Sequence, residues 1–276
     1  MTVTDKSSPN SGMPNYCKVT LQKSKLGGVT SLSSKKIDLH NVGKTYSASF
    51  TNQSAGTYRN INKYYKDKII LDNINLDIES SNIYMILGKS GAGKSTLLNI
   101  IGLLDTPNSG NISIKGKVIK NLSDNDKAEI RMKELGFVFQ GFFLNPKLKA
   151  YENVTIPMYI NSLYKNIDLK NKSIELLRIF GLEDKYNSFP NELSGGEQQR
   201  VAIARAIAND ASIIVADEPT GNLDKENEQK VMEYFQYLSS IGKSIVMVTH
   251  NENLLEYSDK AFYLRNGKLE EFILWY

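Results

Sequence analysis

One octapeptide constrains this chain more than any other feature. Gly88-Lys89-Ser90-Gly91-Ala92-Gly93-Lys94-Ser95 fits the pattern G-x-x-x-x-G-K-[ST]. Its glycines let the backbone turn so that successive N–H groups face inward as an anion nest. The helix that follows adds its positive N-terminal end. Lys94 can then reach the β- and γ-phosphates of a nucleotide, and the Ser95 hydroxyl can ligate Mg²⁺. The motif requires a strand before it and a helix after it. Ile83–Leu87 is a short apolar run that reads as the strand. Ser95–Leu104, with Thr96 next after the motif, reads as a helix with apolar positions on several faces, and therefore as well buried.

The rest of the chain alternates in the same way. Ile69–Ile78 alternates apolar and polar residues as a strand does. Ile112–Ile114 and Lys117–Ile119 read as a small hairpin around Gly116. Gly136–Phe139, Ile213–Ala216, Ser244–Thr249 and Ala261–Arg265 read as strands. Tyr151–Phe180 is mostly helical with a break near Asn166–Asp168, and Gln198–Ala208 and Lys225–Ser240 read as helices. Strands alternating with helices predict an α/β layer fold with a largely parallel sheet. Order is expected to begin at Ile37–Val42, and the polar stretch Ser47–Tyr65 to be an insertion or long loop.

Composition excludes several classes. Of 276 residues, 41% are hydrophobic and 23% charged, which is ordinary for a soluble globular protein. No apolar run approaches the roughly 20 residues that span a bilayer, and the front of the chain lacks the apolar core of a signal peptide. The single cysteine, Cys17, has no internal partner, so a reducing compartment is expected. The net charge of +4 is unevenly spread. Residues 1–66 hold ten basic and two acidic residues, a net +8, which leaves −4 for residues 67–276. Residues 1–36, rich in Ser, Thr, Lys, Asn and Gly, read as a flexible basic tail, with an arm touching anionic lipid as the alternative.

Two further segments carry chemistry. Ile213-Ile214-Val215-Ala216-Asp217-Glu218-Pro219 is an apolar strand ending in two carboxylates. Ligand sites gather at the carboxyl ends of parallel strands. Asp217 is then placed to hold Mg²⁺ or its waters, and Glu218 to polarise an attacking water as general base. Leu193-Ser194-Gly195-Gly196-Glu197-Gln198-Gln199-Arg200 sets a serine and two glycines at the start of a helix, which makes a second anion site. A chain has no use for two such cradles on one nucleotide unless the second faces a partner.

The phosphate loop, the Ser194-Gly195-Gly196 segment and the acidic strand end, in this order, resemble the ATPase domain of ATP-binding cassette (ABC) proteins over roughly Ile37 to Lys268. The resemblance implies a P-loop NTPase fold of the ABC type, with a mostly parallel core sheet, an antiparallel β subdomain and a helical subdomain over residues 141–192, all within residues 37–276. It implies binding of ATP and Mg²⁺ and hydrolysis of ATP by a head-to-tail homodimer, in which Ser194, Gly195 and Gly196 close on the other subunit's ATP. It places Gln140 at the Mg²⁺ and its water, Asp224 of Asn222-Leu223-Asp224 at the dimer interface, and His250 at the γ-phosphate. His40 matches no motif and reads as structural. Tyr46 matches the aromatic that stacks on adenine, with Tyr58, Tyr64 and Tyr65 as rivals because of the 47–65 stretch.

Phe139-Gln140-Gly141-Phe142-Phe143-Leu144-Asn145-Pro146, Tyr151-Glu152-Asn153-Val154 and Ala216-Asp217-Glu218-Pro219-Thr220-Gly221-Asn222-Leu223-Asp224 narrow the likeness to the group serving lipoprotein release, macrolide efflux and antimicrobial-peptide export. The resemblance then implies an ATPase that powers export or release through a separate integral membrane permease, held peripherally at the cytoplasmic face of the cell membrane, with no nucleic-acid partner. One alternative is a mechanotransmission ATPase of the cell-division type that gates a wall hydrolase. Two others are a soluble ABC protein acting on ribosomes or DNA, and a non-catalytic binding module. The intact Glu218 and His250 speak against the last.

Overall fold

The computed structural model describes residues 54–272. The described residues open with a long antiparallel hairpin, β1 (Ser54–Tyr65) and β2 (Lys68–Glu79). β3 (Ile83–Leu87) leads through the phosphate loop into α1 (Lys94–Ile101). β4 (Ser109–Ile114) and the two-residue β5 (Lys117–Val118) follow, then α2 (Asp124–Glu134) and β6 (Leu135–Phe139). α3 (Ala150–Tyr159) and α4 (Leu169–Ile179) precede α5 (Gly195–Ala206). β7 (Ile213–Asp217), α6 (Lys225–Ser240), β8 (Ser244–Val248), β9 (Lys260–Arg265) and β10 (Lys268–Phe272) complete the order.

The strands sort into two sheets. One has the order β10-β9-β3-β8-β7-β6, parallel throughout except for β10 at its edge; the other is antiparallel, β2-β1-β4-β5. β3 and β8 are buried at every residue, as parallel strands covered on both faces must be, and for that reason they read as unbroken apolar runs. Alternate residues serve the two faces. Ile83, Met85, Ile214, Ala216, Ile245 and Met247 pack with α5, α6 and the α3–α4 region. Tyr84, Ile86, Ile213, Val215, Val246 and Val248 pack with α1 and the antiparallel sheet. The ends of β3, β7 and β8 are thereby fixed side by side, and the functional loops leave from there.

The expectation of an insertion or long loop at 47–65 fails over residues 54–65, which are β1. Its inward residues, Ala55, Tyr58, Ile61 and Lys63, are not evenly spaced by two. Register shifts between Tyr58 and Ile61 and again before Lys63, with Asn60 at φ +53°, break the alternation. Its outward face is polar and paired: Arg59 meets Asp77 at 2.5 Å, and Asn60 donates to Asn73 Oδ1 at 2.9 Å. The sequence reading also missed α2 and β10. α2 buries only Ile130, so it has no apolar stripe. Its signal is the box at its start, where Ser123 Oγ accepts from the Asp126 N–H and Asp126 accepts from the Ser123 N–H.

The helical stretch behaves as expected. The break between α3 and α4 falls where Asp168 caps α4, accepting from the Asn171 N–H at 3.1 Å. No helix among the described residues is long and apolar enough to cross a membrane. The expected tail at 1–36, the strand at 37–42, Cys17, His40, Tyr46 and residues 47–53 and 273–276 lie outside the described residues.

Candidate active site

The phosphate loop spans the gap between β3 and α1. Gly93 is the N-cap residue of α1 with φ +101°, and a Cβ there would stand 3.0 Å from the Ile70 side chain and 3.1 Å from its carbonyl. No side chain caps this helix start and no acidic residue lies in its first turn. Its leading N–H groups are therefore left for an external acceptor. The Lys94 ammonium folds back and donates to the carbonyls of Gly88 (2.7 Å) and Lys89 (3.1 Å). A cavity of about 470 Å³ opens over the loop, lined by Ile70, Ser90, Gly91, Gly93, Lys94, Ser95, Thr96, Asp217, Glu218 and His250.

Three elements thus deliver side chains to one cavity. Asp217 ends β7 and accepts from the Ser95 hydroxyl. Burial holds its carboxyl above the ordinary carboxylate value and neighbouring Glu218 adds to this, against the Ser95 hydrogen bond and the Lys94 charge. Glu218 follows, with φ +45° and a side chain 18% exposed. Its carboxylate oxygen accepts from His250 Nδ1 at 2.6 Å, and His250 follows the end of β8. A carboxylate oriented by an imidazole can take a proton from water.

The remaining expected residues lie elsewhere. Gln140 follows β6 and does not line the cavity; its carbonyl accepts from Asn222 Nδ2 at 3.0 Å, and its side-chain nitrogen lies against Gly221. Ser194, Gly195, Gly196 and Asp224 also stand outside the cavity lining. Ser194 caps α5 by accepting from the Glu197 N–H at 3.3 Å, while Glu197 accepts from the Ser194 N–H at 2.8 Å. Asp224 caps α6 by accepting from the Asn227 N–H at 2.8 Å. These contacts hold its carboxyl below the ordinary value. The two caps touch, because a Cβ on Gly196 would fall on the Asn227 amide.

Among the tyrosines, Tyr58 is fully buried and donates to the Ile101 carbonyl at 3.0 Å, which removes its ring from any ligand surface. Tyr64 and Tyr65, at the end of β1, are about half exposed. Tyr65 donates to Asp105 at 3.0 Å. Neither lines the cavity.

Sequence reasoning missed two side chains of α5 that grip functional loops. Gln199 Nε2 donates to the Pro219 carbonyl at 2.6 Å. The Arg205 guanidinium donates to the carbonyls of Phe142 (2.7 Å) and Phe143 (2.6 Å), both of which have positive φ just beyond Gln140. Both residues sit in the helical run after the Ser194 segment. Their partners are backbone carbonyls, and only topology brings those close.

Comparison with known proteins identifies the family. Residues 71–221 match the family model described as ABC transporter. The chain is 44% identical over 210 residues to the lipoprotein-releasing system ATP-binding protein LolD of Aquifex aeolicus, covering 76% of this chain and 93% of that one. It is 43% identical over 197 residues to the macrolide export ATP-binding/permease protein MacB of Chlorobium phaeobacteroides, covering 71% of this chain and 30% of that protein. Among solved structures, it matches the dimeric post-hydrolysis state of the ATP-binding cassette MJ0796 of Methanocaldococcus jannaschii bound to ADP and Pi. That match has a TM-score of 0.72 at 40% identity and covers 80% of this chain and 99% of that one.

Proposed function

Because this chain belongs to the ABC transporter family and is one of its ATPases, we propose that it powers export or release of a peptide, lipoprotein or drug through a separate membrane permease. The observation that carries the catalytic part is the meeting of Lys94, Ser95, Asp217, Glu218 and His250 in one cavity over a helix start that no side chain caps. The names of the LolD and MacB relatives support the transport part. They also support a peripheral place at the cytoplasmic face of the cell membrane, held there by the permease.

Each residue then has a role. The N–H groups of Gly88, Lys89, Ser90, Gly91, Ala92 and Gly93, the Lys94 ammonium, and Ser95 and Thr96 at the start of α1 cradle the phosphates. The residues present fit Mg²⁺. Ser95 and Asp217 offer adjacent hard oxygens at the cavity, and Gln140, outside the cavity lining, would have to turn its side chain inward to add another. Mg²⁺ is commonly held by one or two protein carboxylates together with the substrate's phosphates. When bound, the ion neutralises charge building on the transferred phosphoryl group. Glu218 takes the proton of the attacking water while His250 orients the carboxylate through Nδ1; with both ring nitrogens protonated, its Nε2–H can also donate toward the γ-phosphate. Catalysis is then positioning and charge stabilisation.

A second copy completes the site. Ser194, Gly195 and Gly196 of one subunit close on the ATP of the other, with Asp224 in the interface. Closing and reopening biases two states of the permease. For adenine, the family resemblance favours Tyr46, and the 47–65 stretch makes Tyr58, Tyr64 and Tyr65 its rivals. With residues 54–65 forming β1 directly before β2, we assign the platform to the Tyr64–Tyr65 end of that strand. Tyr65→Ala or Tyr64→Ala weakening ATP binding while Tyr46→Ala leaves it unchanged is the expected pattern.

Glu218→Gln is the central experiment. It removes the base and keeps the shape, so an ATP-loaded dimer should accumulate on size exclusion while phosphate release stops. A variant that turned over ATP at the parent rate would sink the assignment.

A further inference from the structure

Glu218 holds a backbone conformation that its residue type resists. At φ +45° it lies in the left-handed region, where a Cβ crowds the following carbonyl. Such a conformation persists only where the surroundings over-determine it. Two of the contacts that do so are backbone bonds. The Glu218 N–H donates to the Val248 carbonyl on β8 at 3.0 Å, and the Gly221 N–H donates to the Glu218 carbonyl at 3.1 Å. The third comes from a side chain.

Pro219 follows Glu218. Its ring fixes φ, so the freedom left in that peptide is the direction of the Pro219 carbonyl. Gln199 sets that direction by donating to it from Nε2 at 2.6 Å. Gln199 is fully buried in the second turn of α5. A carbonyl only accepts, so the contact also fixes the amide, with its NH₂ toward Pro219. The amide oxygen then faces the interior and has no hydrogen-bond partner. An unpartnered buried oxygen is destabilising. A methionine of similar length would fill the space without that oxygen, so packing alone does not call for glutamine here.

We propose that Gln199 is a positioning residue for ATP hydrolysis. It locks the Pro219 carbonyl, keeps Glu218 left-handed and so holds the Glu218 carboxylate against His250. Because Gln199 rides on the helix that Ser194 caps, the segment that closes on one ATP is mechanically tied to the base that acts on the other. This inference rests on Glu218 acting as the base.

The test uses the full-length chain with Gln199→Met, which keeps length and removes the donor, and Gln199→Ala, where a water molecule has room to solvate the carbonyl. Steady-state ATPase kinetics should show kcat falling at least about tenfold, a modest loss on the scale of transition-state energies, with KM for ATP little changed. In the Glu218→Gln background, Gln199→Met should leave the ATP-loaded dimer on size exclusion intact, because trapping needs no base. The inference is overturned if kcat stays near the parent value, if KM rises in step with the fall in kcat, if the trapped dimer is lost, or if neither variant folds. If Glu218→Gln alone traps no dimer, the reading of Glu218 fails first and carries this inference with it.

Discussion

Two helix starts in this molecule look alike in sequence and differ in structure. α1 opens with Gly93-Lys94-Ser95 and α5 with Ser194-Gly195-Gly196; both are small-residue N-termini suited to an anion. The first has no side-chain cap and opens into the cavity. The second is closed upon itself, its cap residue and Glu197 satisfying each other's N–H groups. Hydrogen bonding to Ser194 holds the Glu197 carboxyl below its ordinary value despite partial burial, so it is charged at neutral pH. A negative charge therefore stands in the first turn of α5. α1 is open to a ligand within one chain, whereas α5, if it closes on a second subunit's ATP as proposed, would meet a phosphate whose charge that subunit's Lys94 has already partly neutralised.

The largest effect should come from the open start. Lys94→Ala removes the one cation of the loop that folds over its carbonyls, and bonds to charged groups are worth about 1.5–3 kcal/mol each. Phosphate release should fall by more than about a hundredfold, with nucleotide binding by the single chain weakened as well. At the closed start the outcome should split. Gly196→Ala drives a methyl group into the Asn227 amide held by Asp224, an overpacking that costs about 1–3 kcal/mol. The melting temperature should drop and ATP-dependent dimerisation should be lost, while monomeric nucleotide binding persists. If Gly196→Ala weakened monomer binding as much as Lys94→Ala, the contrast between the two starts would be broken.

Asp217 sharpens the comparison from the cavity side. Its folded pKa is raised by burial. Between its ordinary value and that raised value the folded state binds the extra proton, so this residue lowers stability as pH rises through the window. Asp217→Asn should therefore raise the melting temperature at neutral pH, and the gain should vanish as pH falls below the ordinary carboxylate range. The same variant should lose Mg²⁺-dependent hydrolysis. Thermal scans across pH read both signs: a gain that grew toward acid would contradict the burial of this carboxyl.

What could be read from sequence follows from how each element is buried. β3, β7 and β8 are covered on both faces, and the phosphate loop and the carboxylates Asp217 and Glu218 are contiguous with them, so motif and strand announced each other. β1 is covered on one face and bulged, and its Asn60–Asn73 and Arg59–Asp77 partners made it look like loop. Gln199 and Arg205 were invisible for another reason. Each acts on a backbone carbonyl, of Pro219 and of Phe142 and Phe143 respectively, and a carbonyl leaves no trace in a sequence. The Glu218–His250 contact joins residues 32 apart in the chain. Only the parallel pairing of β7 with β8 brings the two side chains together.

The smallest expected effect tests the charge on the closed start. Glu197→Gln keeps an acceptor for the Ser194 N–H, so the capping box survives and the melting temperature should move little. It removes the negative charge from the first turn of α5. Two consequences oppose each other. The helix loses a carboxylate that suits its N-terminus, about 0.3–1 kcal/mol at a surface site. An arriving γ-phosphate meets less repulsion, by an amount of similar size that salt screens. In the single chain the first term acts alone, and stability should fall slightly. In the ATP-bound dimer the second acts as well, and dimer affinity should rise at low ionic strength and return to the parent value as salt is added. Sedimentation of the Glu218→Gln background with and without Glu197→Gln, over a salt series, reads that difference. Weaker dimers at low salt in the Glu197→Gln variant would mean that this carboxylate does not face the nucleotide, and that the two helix starts differ only in how they are capped.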